Sequence, residues 1–242
     1  MEAIEKIKEN SATVRGGYEH LLDGVANYIV KVALWLKIKP IQLTFFWVIA
    51  QFLVTFIFLF AEYKFFVLGI FLFQFMFLFD LSDGKLYRFY THELRQRKPL
   101  FPKYLDRLGH FLNNGLLFIC LGIGVYWRSG QSWHLYMGLF VAFLYLANKA
   151  ITVNPAWYKS IEEQNLAVTV TKKAYPLNEA KRVKQFIFDI IRVEHLGNIL
   201  FFGLIFDIPH YTLVFYAIVF FIEFLRKLLL QAMLLWVSDK II

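Results

Sequence analysis

Phe65-Phe-Val-Leu-Gly-Ile-Phe-Leu-Phe-Gln-Phe-Met-Phe-Leu-Phe79 runs without a single charge into Asp80-Leu-Ser-Asp83-Gly84-Lys85-Leu86-Tyr87-Arg88. The first half has the composition of a membrane helix, in which bulky apolar residues are readily accommodated. The second half sets two carboxylates at its end. A carboxylate next to hydrocarbon is costly unless its charge is compensated, and two acids three residues apart on a helix face repel each other. A divalent cation relieves both problems. Further on, Asp106-Arg-Leu-Gly-His110 supplies an acid and an imidazole at i and i+4, one turn apart on the next helix. Two helix ends thus offer four ligand-type side chains, Asp80, Asp83, Asp106 and His110, to one small volume.

Working outward, the 242 residues are 59% hydrophobic and 19% aromatic, more than the core of a soluble domain of this length needs. The 28 phenylalanines read as lipid-facing bulk and carry no cofactor pattern. An all-α integral membrane protein is expected, with six spans at about 42–61, 65–79, 111–127, 133–150, 185–206 and 208–225. The second is short, so Asp80 lies close to its end. The fifth is interrupted by Asp189, Arg192, Glu194 and His195, and a charged half-span faces a cavity or a partner. Residues 1–40 form an amphipathic arm broken near Gly16-Gly17, either an anchor on the membrane surface or a roof over the polar site. A second surface helix is expected over 178–193, after Pro176. The chain reads as one membrane domain, the arm followed by a bundle over 41–242.

The turns at Glu62-Tyr63-Lys64, Arg128-Ser-Gly and Asp207-Ile-Pro209 carry only Lys64 and Arg128 as cations, and the remaining basic residues fall toward the other side. The positive-inside bias makes that side cytoplasmic, so the acids open to the cytoplasm, at the inner membrane in a prokaryote. The net charge of +8 is scattered in juxtamembrane loops, with no arginine-rich tail or nucleic-acid module. Anionic lipid headgroups, not nucleic acid, are the expected partner. Glu2, Glu5 and Glu9 among the first ten residues argue against a cleaved signal peptide. The lone Cys120 excludes an internal disulfide or a cysteine zinc cluster.

Asp80, Asp83, Gly84, Arg88 and Asp106 match the signature of the CDP-alcohol phosphotransferases, Asp-x-x-Asp-Gly-x-x-Ala-Arg followed by Gly-x-x-x-Asp-x-x-x-Asp, which this stretch resembles. Lys39-Pro40-Ile41-Gln42-Leu43-Thr44 is similar to the Pro-Asn-x-Leu-Thr entry of that family's first span. The resemblance covers about 40–114 and implies a homodimer that transfers a phospho-alcohol group. The donor is a nucleotide-diphospho-alcohol, CDP-linked in the family, the acceptor is an alcohol, and nucleotide monophosphate leaves. It further implies that Asp80, Asp83 and Asp106 hold one or two Mg2+ or Mn2+ ions, with Gly84 and Arg88 at the diphosphate and Ile41, Thr44 and Tyr87 at the nucleotide end.

The departures from the pattern are specific. His110 replaces the fourth Asp, which in the family is metal ligand and base; neutral imidazole serves either role with one negative charge fewer. Tyr87 stands for a small Ala and Ile41 for Asn, which changes the nucleotide end. Pro102 replaces the second Gly, and the spacer before it is longer, with His92, Arg95, Arg97 and Lys98 forming a basic loop. Asn113 and Asn114 follow His110 by one turn and either join helices, orient His110 or meet a substrate hydroxyl. Arg192, at ion-pair spacing from Asp189, is the candidate for acceptor recognition. A family member that binds lipid, nucleotide or a partner without turnover is the alternative. A prenyltransferase would need a second Asp-rich motif, which the sequence lacks.

Overall fold

The computed structural model describes residues 17–92, 100–153 and 196–238. These are helical, with no strand among them: α1 Gly17–Trp35, α2 Pro40–Thr55 continued by a 3-10 turn at Phe56–Phe60, α3 Tyr63–His92, α4 Leu100–Ser129, α5 Trp133–Val153, α6 Leu196–Ile205 and α7 Pro209–Ser238. Four stretches are long and apolar enough to cross a membrane: Pro40–Phe60, Tyr63–Tyr90, Tyr104–Ser129 and Trp133–Ile151. They overlap the first four expected spans, the second and third being longer than expected. α6 and α7 cover the described part of the last two, while 185–195, the surface helix at 178–193 and Arg192 lie outside the described residues.

The second span differs from its expected length. Instead of ending at Phe79, α3 continues without a break to His92, because nothing between Asp80 and Arg88 stops a helix except Gly84, which one helix tolerates at modest cost. The extension is held from behind by the amphipathic arm. Ala26, Val30 and Ala33 of α1 are buried with Leu43 and Leu86. The Ser82 hydroxyl lies 3.3 Å from the Ala26 carbonyl oxygen, and the Lys85 ammonium, 2% exposed, donates to Asn27 Oδ1 at 2.7 Å. So α1 packs on the motif helix and not simply on lipid.

α2 lies against α3 and α4, α4 runs along α5, and α7 covers α5. The main core joins Phe58, Phe66, Ile70, Leu117, Phe118, Leu121, Val141, Leu200, Leu204, Tyr216 and Phe220 from all of these layers. Cys120 is a buried member of it. Two helices stop in the same way: Ile38 N–H bonds the Ala33 carbonyl at 2.8 Å across left-handed Lys37, and Ile208 N–H bonds the Gly203 carbonyl at 2.8 Å across left-handed Asp207. This back-bonding satisfies carbonyls that a helix end leaves open.

At the end of the bundle away from the acids, Arg128 forms a two-pronged ion pair with Asp207, joining α4 to the α6–α7 turn. The guanidinium holds the Asp207 carboxyl below its usual range. Its folded value is depressed, so the stabilisation is complete above the unfolded carboxylate range, near pH 4, and is lost as the pH falls through the lower folded value. Arg128→Ala is expected to cost at most about 1 kcal/mol for this solvent-facing pair. Thermal melting in detergent at pH 7 and pH 3 checks it, the difference between the two proteins shrinking at the lower pH.

Candidate metal centre

Asp80 on α3 and Asp106 and His110 on α4 converge. His110 Nε2 lies 3.3 Å from Asp80 Oδ1 and 3.6 Å from Asp106 Oδ1, and one ligand atom from each of the three falls within 4.8 Å of the others. Around a hexacoordinate ion with bonds of about 2.1 Å, adjacent donors stand about 3 Å apart and opposite ones about 4.2 Å. The triangle therefore fits a divalent cation with little movement. Two carboxylates this close repel each other, and the imidazole or a cation must balance them. Asp80 and His110 are only partly covered, their side chains 15% and 34% exposed, so the cluster opens outward.

The helix contact that creates this meeting depends on Gly109. A Cβ there would stand 2.5 Å from Val48 Cγ2 and 3.3 Å from the Trp47 ring, so only glycine lets α4 approach α2 this closely and seat His110 beside Trp47. The two rings lie 5.0 Å apart. Behind His110, Asn114 Nδ2 donates to the Tyr145 hydroxyl at 2.9 Å, which donates to the His110 carbonyl at 3.2 Å. Asn113 Nδ2 donates to the Val48 carbonyl at 3.0 Å. Asn113 thus ties α4 to α2 and Asn114 ties it to α5. Asn114 steadies the backbone at His110 through Tyr145.

Asp83 takes a different place from its partner in the motif. It is 5% exposed, and its Oδ2 accepts two bonds of 2.8 Å, from the Thr44 hydroxyl and from Trp47 Nε1, both on α2. Asp83 is not one of the three residues whose ligand atoms cluster. Thr44, expected at the nucleotide end, serves here as a donor to Asp83. α2 itself starts where the sequence proposes: Pro40 is its first residue, and the Gln42 side chain accepts from Lys39 N–H at 2.8 Å.

Gly84 is not a packing glycine. Among the described residues, a Cβ there would meet only Arg88 Nη1, at 4.0 Å, so a side chain at this position would have room. Tyr87, expected at the nucleotide end, lies on α3 one turn beyond Asp83 and is half-buried. Ile41 lines a shallow apolar groove with Gln42, Phe45 and Phe46. Arg95, Arg97 and Lys98 lie outside the described residues.

Trp47, Tyr145 and Lys149 are the residues that sequence reasoning misses. Trp47 is fully buried and touches two motif residues. Its signal was available: it follows Thr44 by three positions, on the same face of α2. Lys149, near the end of α5, lies 5.6 Å from the Tyr145 ring centre. The chain matches no protein-family model and no curated protein.

Proposed function

We propose that this chain is a divergent metal-dependent phosphotransferase of the membrane surface, resembling the CDP-alcohol phosphotransferases. The observation that carries the reading is the convergence of Asp80, Asp106 and His110 into one ligand-sized triangle, with Gly84 and Arg88 following Asp80 on the same helix. In this reading the acceptor hydroxyl oxygen attacks the phosphorus of a nucleotide-diphospho-alcohol, forming a new P–O bond. The bond to the bridging oxygen breaks, and that oxygen leaves with the nucleotide monophosphate. Arg88 holds the diphosphate by charge-assisted hydrogen bonds.

A divalent cation, Mg2+ or Mn2+, supplies charge neutralisation at the phosphoryl oxygens when bound. Asp80, Asp106 and His110 hold it. His110 Nε2 has one lone pair, so it takes the acceptor proton or holds the cation, not both at once, and its distances to the two carboxylates favour the second role. The acceptor proton would then pass to a carboxylate oxygen of Asp80 or Asp106. Tyr87 stands where the family has a small Ala and so fills space at the nucleotide end, and the donor base need not be cytosine.

The wider reading has six spans, the polar site facing the cytoplasm, a homodimer, and anionic lipids against the basic loops; the distribution of Lys and Arg supports the orientation. A binding role without turnover has one observation in its favour, since His110 lies between Asp80 and Asp106 and, when protonated, offsets one of their two negative charges without a metal. Purified protein with Mg2+ or Mn2+, offered a panel of cytidine, uridine, adenosine and guanosine diphospho-alcohols with mixed alcohol acceptors, is expected to release the matching nucleotide monophosphate, read by mass spectrometry. No release from any donor rules out the phosphotransferase reading.

A further inference from the structure

Two carboxylates of one motif have different surroundings, and this divides their roles. Asp80 faces His110 and Asp106, whereas Asp83 turns to α2 and spends one oxygen on Thr44 and Trp47. The indole that donates to Asp83 also lies against the His110 ring. A chain of contact therefore runs from Asp83 through Trp47 to His110. A metal-bound imidazole needs its ring plane fixed by neighbours, and losing such support typically costs about 10- to 100-fold in affinity.

We propose that the centre holds a single ion through Asp80, Asp106 and His110, and that Asp83 is not a ligand but a positioning residue, which orients His110 through Trp47. This rests on the metal-dependent reading given above and departs from the two-ion, all-carboxylate arrangement that the resemblance implies. The resulting donor set is two carboxylates and one imidazole. Nitrogen in the set suits Mn2+, Fe2+, Co2+ or Zn2+ better than Mg2+ or Ca2+, which favour oxygen alone.

Asp83→Asn and Asp83→Ala separate the two roles. The Asn side-chain oxygen still accepts from Thr44 and Trp47 but is a poor metal ligand, while Ala releases the indole. The full chain in detergent, titrated with Mn2+ and followed by electron paramagnetic resonance, is expected to bind one ion per chain. It should show a nitrogen coupling that His110→Asp removes. Asp83→Asn should bind within about threefold of the wild type and Asp83→Ala about 10- to 100-fold more weakly. Should the Ala variant not fold, the stoichiometry and the Asn variant still decide. Two ions per chain, no nitrogen coupling, or a loss of more than tenfold in Asp83→Asn overturns the assignment while leaving phosphotransfer standing. Absence of any Mn2+ binding by the wild type overturns it together with the metal-dependent reading, and monophosphate release without bound metal overturns only the metal part.

Discussion

Asp80→Asn is expected to lower nucleotide monophosphate release at least about 1000-fold while the protein still folds. Asp80 is the one acid on α3 whose oxygen reaches the His110 ring nitrogen, at 3.3 Å, and its side chain is partly covered. Replacing a carboxylate with an amide of the same shape keeps the packing but removes a negative charge and most of the affinity for a hard cation. If the bound ion stabilises the reaction by about 4 kcal/mol, a figure usual for charge neutralisation at phosphoryl oxygens, its loss corresponds to about 1000-fold in rate. The variant also removes the charge repulsion between positions 80 and 106, so the protein without metal should not be destabilised. The accompanying measurement is the rise in melting temperature on adding Mn2+. Wild type shows a concentration-dependent rise, and Asp80→Asn shows none, because a ligand stabilises only the state that binds it. A fall in activity with the metal-induced rise preserved would assign Asp80 to something other than the ion.

The second large effect belongs to the bundle. A Cβ at Gly138 on α5 would stand 2.6 Å from the Gly122 Cα and 2.7 Å from the Phe118 carbonyl oxygen on α4, and Gly122 meets Gly138 in the same way. These neighbours are backbone, which cannot swing aside as a side chain does. Small residues that let two backbones touch are what membrane helices rely on, since apolar side chains gain little by leaving apolar lipid. Gly138→Ala is expected to cost about 1–3 kcal/mol, seen as a fall of about 5–10 °C in melting temperature, and Gly138→Leu to leave no folded protein after detergent extraction. The damage should reach the site, because Tyr145 of α5 bonds the His110 carbonyl. Gly24→Ala is the control: among the described residues nothing lies within 4 Å of a Cβ there, so the added methyl should be neutral or stabilise the helix by up to about 1 kcal/mol. Equal effects at Gly24 and Gly138 would contradict the close crossing of α4 and α5.

Much of this was legible in the sequence, for reasons that can be located. Long uncharged runs report their own burial in lipid, so the first four spans fall where they are expected. Acids at the end of such a run are rare enough to mark a site, and three of the four expected ligand residues do come together. The separation of Asp83 from Asp80 was less visible. Residues at i and i+3 share a helix face only loosely, differing by about 60° around the axis. That angle is enough for Asp80 to meet α4 while Asp83 meets α2. Trp47 was hidden among lipid-facing aromatics because its partners lie 36 residues away for Asp83 and farther for His110. The role of the arm was hidden likewise. An amphipathic pattern gives a face to bury, yet only the bonds from Ser82 and Lys85 to α1 decide that protein, and not lipid alone, covers it.

The central claim is that Asp80, Asp106 and His110 carry a divalent ion that supports transfer of a phospho-alcohol group. Its most direct test is 31P nuclear magnetic resonance of the protein in liposomes with Mg2+ and the nucleotide-diphospho-alcohol and alcohol selected by the donor panel. The paired diphosphate signals should decay while one phosphodiester and one monophosphate signal grow in equal amounts. Chelation of the metal or Asp106→Asn should stop the change. Diphosphate signals that persist with every donor, or that decay equally after chelation and in Asp106→Asn, would contradict it.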